Sequence, residues 1–174
     1  MKRIMLVYGG LAGAIAIAAM LINMVAKVHS LLLGYLILFA ALSMIFVGIK
    51  TYRDRELGGV IRFWTAFGVG MGIAMVASVI YVVIWEIYLI ATDYSFMDEY
   101  VRAMGAEKRA EGASAAELAR MQADMRAMGE SYNNSLLMRI GFTLLEILPV
   151  GLIVSVVSAA LLRKSSFLPA RGSA

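Results

Sequence analysis

Four runs of this chain stay apolar for long enough to cross a bilayer: Ile4 to Ala26, Leu31 to Ile49, Phe67 to Ala91 and Leu136 to Leu162. At 1.5 Å rise per residue the first reaches about 34 Å, against a hydrocarbon core of about 30 Å. Composition points the same way, because 61% of residues are apolar and 16% charged, where an ordinary soluble domain carries about a quarter charged. The expected fold class is therefore an all-α integral membrane protein with four transmembrane helices. They fall at about 4–26, 31–49, 62–91 and 136–162, with an extracytoplasmic helical hairpin at about 95–131 between the third and fourth. A single domain over residues 1–174 is expected, since the chain leaves no room for a separate soluble domain of ordinary size.

The first run has a rival reading as a cleaved signal peptide, with Lys2 and Arg3 as its basic start. The run outlasts the about 7–15 apolar residues of such a segment, which favours a retained helix. Gly9 and Gly13 would let a neighbouring helix approach closely. After the polar break at Lys27, His29 and Ser30, the second run returns across the membrane and ends in a basic stretch, Lys50 to Gly59. Gly58 and Gly59 there permit a reversal, and Arg62, Phe63 and Trp64 form an interfacial anchor. Gly68 and Gly70 spell GxG in the third run, but no strand precedes them, so a packing face explains them better than a phosphate loop.

Between Thr92 and Ser135 the chain turns polar. Phe96, Tyr100 and Met104 recur at helical spacing, Gly112 breaks the pattern, and Ser114 with Glu117 makes a capping box. Leu118, Met121, Met125 and Met128 then form one apolar stripe on a charged helix. Met121 and Met125 carry the soft thioethers that copper sites use, although adaptable packing is the commoner role of methionine. The fourth run is interrupted by Glu146 and Pro149; Arg163 and Lys164 end it, and the tail to Ala174 is expected to be disordered.

Basic residues near helix ends concentrate on one side: Lys2, Arg3, Lys50, Arg53, Arg55, Arg62, Arg163, Lys164 and Arg171, against Lys27 and Arg139 on the other. The positive side faces the cytoplasm, which puts both termini there and the acidic hairpin outside. The same bias accounts for the net charge of +4 through orientation and anionic lipid, so no nucleic-acid partner is expected. With no cysteine and one histidine, disulfides and thiolate metal sites are excluded and no cofactor or metal is expected.

Three stretches carry a family resemblance: SMIFVGIKTYRDRELGGVIRF, the outer segment with GASAAEL, and FTLLEILPVGLIVSVVSAALLRK. On these the chain resembles a bacterial integral membrane family catalogued as domain of unknown function 4199. The resemblance implies four membrane helices in a bacterial cytoplasmic (inner) membrane and brings no catalytic residue with it.

Chemistry, if any, would gather around carboxylates inside apolar helices, where a charge costs roughly 2.5–3.5 kcal/mol on insertion scales. The candidate intramembrane polar cluster is Glu146, Glu86, Asn23, Lys27, Arg139 and Thr143. Its bland reading is hydrogen-bonded helix glue. No nucleophile elbow and no HExxH occurs, so an enzyme is not expected. Two classes stay open: a non-enzymatic scaffold or envelope-interaction protein, and a small oligomeric transporter or proton/cation-coupled permeation element using Glu146. Expected partners are the lipid bilayer and, through the outer hairpin, a second copy or an envelope protein.

Overall fold

A computed structural model describes residues 1–25 and 31–170, without the side chains of 23–25 and 31. Every regular element among the described residues is a helix, with no strand among them: α1 (Lys2–Val25), α2 (Leu31–Leu42), α3 (Met44–Glu56), α4 (Phe63–Ala91), α5 (Phe96–Ala110), α6 (Ala115–Asn134) and α7 (Leu136–Leu162). Four stretches are long and apolar enough to cross a membrane, namely Lys2–Ile22, Leu32–Glu56, Phe63–Ala91 and Leu136–Leu162. Their large apolar side chains lie exposed in numbers unusual for a water-facing surface, Leu32 at 72% and Leu145 at 71% among them.

Only Ser43 separates α2 from α3, and its φ of −60° and ψ of −18° are helical. Its hydroxyl donates back to the Ala40 carbonyl at 2.6 Å, a bond that loosens a helix without ending it. The helix then runs past Ile49, where the apolar run stops, to Glu56. Polarity changes there before the backbone does. Lys50 pairs with Asp54 one turn on, and Arg53 and Arg55 occupy the last turn, where cations meet the negative end of the helix. Reversal comes at Gly58 and Gly59, with φ of +64° and +91°.

Packing divides the chain into two compact units, Met1–Val83 with Leu144–Ala174, and Ile84–Thr143. In the first, α1 runs along α2 and α3. Leu42, Ile45, Ile49, Val69, Ile73 and Leu162 are fully buried. Close approach depends on glycine at two places. A Cβ on Gly9 would lie 2.5 Å from the Val76 Cβ, and one on Gly151 2.9 Å from the Ala74 Cβ, so α4 meets both α1 and α7 nearly backbone to backbone. Tyr8 and Thr51 share a hydroxyl hydrogen bond of 2.9 Å.

Of the tail expected to be disordered, residues 171–174 lie outside the described residues, and the part up to Ala170 is tied down. Arg53, wholly buried, donates to the carbonyls of Leu162 at 3.3 Å, Phe167 at 2.9 Å and Leu168, and its Nε binds Asp54 at 2.7 Å. Phe167 adds an edge contact to Phe46. Carbonyl groups left over at the end of α7 attract a cation for the reasons that any helix C-terminus does.

In the second unit α5 and α6 pack on each other. Gly112, at φ +88°, lies in their connection, and the Ser114 hydroxyl and amide exchange hydrogen bonds with Glu117 as a complete capping box. The buried faces differ from the expected stripes. On α5 they are Met97, Val101 and Gly105, each one residue after Phe96, Tyr100 and Met104. On α6 they are Leu118, Gly129 and Tyr132, while Met121 and Met125 are half-buried and Met128 is exposed. Gly129 rather than Met128 lies on the inner face, against Met97, whose Cβ is 3.5 Å from where a Cβ on the glycine would sit.

Candidate functional site

The polar side chains of the second unit converge on Arg139, four residues into the sequence that opens α7. Its Nε donates to both carboxylate oxygens of Glu86, at 2.8 and 3.1 Å. Its Nη1 donates to the carbonyls of Tyr132 at 3.2 Å and Asn133 at 2.8 Å, which end α6, where carbonyls run short of helical donors; the Ser135 amide also donates to the Tyr132 carbonyl, at 3.4 Å. A cation near the start of its own helix is poorly placed for that helix dipole, yet here it faces the negative end of α6. The guanidinium also lies 5.0 Å from the centre of the Tyr94 ring, within cation–π range. Both ion-pair partners are largely buried, at 7% exposure for Arg139 and 16% for Glu86.

The turn that supplies Tyr94 is strained. Asp93 and Tyr94 have φ of +50° and +54°, a region that asparagine and aspartate enter readily and tyrosine does not. The Tyr94 amide donates to the Leu89 carbonyl at 2.8 Å, and the Asn133 side chain donates to the Tyr94 carbonyl at 3.4 Å. Trp85, one residue before the acid, donates to the Tyr132 hydroxyl at 2.7 Å and meets Phe96 edge-on. The side-chain oxygen of Asn133 is buried without a hydrogen-bond partner among the described residues.

Of the six residues singled out from the sequence, Glu86, Arg139 and Thr143 lie in this unit. Thr143 donates at 2.9 Å to the Arg139 carbonyl and so braces the helix under the guanidinium without touching it. Glu146 makes no hydrogen bond or ion pair among the described residues, and its side chain is exposed. Asn23 lies in α1 with its side chain undescribed, and Lys27 lies outside the described residues. Sequence reading passed over Tyr94, Tyr132 and Asn133. Asn133 carried only the N-glycosylation triplet with Asn134 and Ser135, and nothing in the sequence announces a left-handed tyrosine.

The carboxylate is covered by the guanidinium, and the guanidinium is committed to two backbone carbonyls and an aromatic face. Among the described residues no group of three or more His, Cys, Asp or Glu side chains comes together to hold a metal. Residues 7–164 match the family described as protein of unknown function, DUF4199. The chain belongs to that family. No curated protein and no solved structure matches it. In this DUF4199 member the buried Arg53 and the Arg139–Glu86 pair both fall inside the matched stretch.

Proposed function

We propose that the chain is a non-enzymatic scaffold or envelope-interaction protein of the bacterial cytoplasmic membrane. It crosses four times with both termini in the cytoplasm, and α5 and α6 form an extracytoplasmic hairpin that presents a charged surface to an envelope protein or to lipid headgroups. The observation that carries this reading is the Arg139 network. Glu86 and Arg139 pair with each other, and Arg139 also ties down the two carbonyls that end α6, so this pair is engaged in holding that helix end. The basic bias of the helix ends supports the orientation.

Purified chain in liposomes should conduct protons and cations no faster than empty liposomes, with wild type and Glu146→Gln alike. Flux that disappears in Glu146→Gln would replace this reading by the transporter, which is favoured by one fact, the exposed and unpartnered Glu146. For topology, cysteines placed singly at Leu57 and Ala116 in this cysteine-free chain should react from opposite sides of the membrane. Reaction of both from one side would remove the four-crossing arrangement.

A further inference from the structure

Glu146 lies about 15 Å from Leu136 along α7 and about 24 Å from Leu162, using 1.5 Å per residue, which is deep within a crossing helix. Yet it is exposed. Around it Leu145 at 71%, Leu152 at 44% and Val156 at 41% are exposed, and so is Pro149. Leu145, Pro149, Leu152 and Val156 follow at spacings of four, three and four, the seam pattern of helices that pack side by side. Intramembrane carboxyls normally face the interior of a bundle or a water-filled cavity. This one faces outward, on a surface where lipid tails offer no hydrogen bond.

A second polar group shares that face. Pro149 has no N–H, so the carbonyl four residues earlier, that of Leu145, loses its helical donor. A carboxyl in its neutral form both donates and accepts. The face therefore displays one donor and one orphaned acceptor side by side in an apolar surround. The basic side chains of the described spans lie near the helix ends, and Arg139 is already bonded to Glu86, so the described residues offer no free cation at that depth. The donor and acceptor are complementary to each other, and a two-fold axis along the membrane normal places identical groups of two copies at one depth.

We propose that this face of α7 is where a second copy of the chain docks within the bilayer, the Glu146 carboxyl of each copy donating to the Leu145 carbonyl of the other. The proposal takes α7 as membrane-spanning and is otherwise independent of what the α5–α6 surface binds.

The test uses full-length chain reconstituted in liposomes, with oligomer size read by single-molecule photobleaching as lipid is added. Wild type should form dimers that dissociate on dilution. Glu146→Leu should weaken the dimer roughly tenfold, in keeping with two intramembrane hydrogen bonds. Glu146→Gln, whose amide still donates, should retain it. Leu145→Trp should block the seam with Glu146 left in place, and circular dichroism matching wild type will show that both disruptive variants fold. Oxidation should cross-link copies carrying Leu145→Cys or Leu152→Cys, and should leave Phe39→Cys and Val79→Cys, equally exposed on other helices, as monomers. Monomeric wild type at every dilution, an unweakened Glu146→Leu dimer, or equal cross-linking at Phe39 and Val79 would each overturn the proposal.

Discussion

Each of the two compact units is organised around a buried arginine that bonds a carboxylate and closes the end of a helix, but the near and far partners are exchanged. Arg53 takes its carboxylate from the next residue, Asp54, and its carbonyls from Leu162, Phe167 and Leu168, more than a hundred positions later. Arg139 takes its carbonyls from Tyr132 and Asn133, just before it, and its carboxylate from Glu86 on another helix. Each also stabilises a non-glycine residue in left-handed backbone, Leu168 at φ +48° and Tyr94 at φ +54°. A remote carboxylate lets an arginine determine which helices meet. Remote carbonyls let it determine where a terminal segment lies.

The comparison breaks most clearly at Arg139. Arg139→Met leaves the mostly buried Glu86 without its partner and should lower stability by about 3–5 kcal/mol in equilibrium unfolding in mixed micelles. Removing both charges with Glu86→Leu and Arg139→Met should recover more than half of that loss. A double variant as unstable as the single one would show that the α6 carbonyl bonds, and not the ion pair, carry the effect.

Arg53→Met should cost less, about 2 kcal/mol, because Asp54 loses one partner but keeps Lys50, and the rest of the loss is hydrogen bonds with backbone carbonyls. Its signature is local: hydrogen exchange at residues 165–168 should accelerate while α4 stays protected. Uniform acceleration across the whole chain would make Arg53 a global support like Arg139.

The smallest effect belongs to the exposed capping box, which touches neither arginine. Ser114→Ala should destabilise α6 by about 1 kcal/mol. The Ser114 amide and hydroxyl hold the Glu117 carboxyl below the ordinary glutamate range. A group with a lowered folded-state value contributes stability above the unfolded value and loses it as pH falls through the lowered one. Acid should therefore fray the first turn of α6 in wild type and do so less in Glu117→Gln, as read by exchange at residues 115–118. Identical acid response in the two would remove Glu117 from the cap.

What the sequence disclosed was local or long. Four crossing-length helices follow from apolar runs that no soluble fold would use, and the capping box follows from residues three apart. Gly105 and Gly129 went unseen as packing residues because close approach leaves no hydrophobic signal, so the larger Met104 and Met128 drew the stripes one position off. Arg53 reads as an orienting surface charge because the carbonyls that bury it come from the far end of the chain. Rise per residue gave the depth of Glu146, but which way it faces depends on helices packed against α7, and periodicity does not encode those.

The Arg53 contacts also set an order of events. During synthesis α3 enters the membrane well before Leu162, Phe167 and Leu168 exist, so this guanidinium must wait with Asp54 alone for company until more than a hundred further residues have been made. A ribosome halted near Lys164, or a reporter fused there, would leave Arg53 short of two of its carbonyl partners. Orientation reporters joined at that point would then measure a chain whose Arg53 network is unfinished, whereas fusions placed after Ala170 would measure one with all three carbonyl partners present.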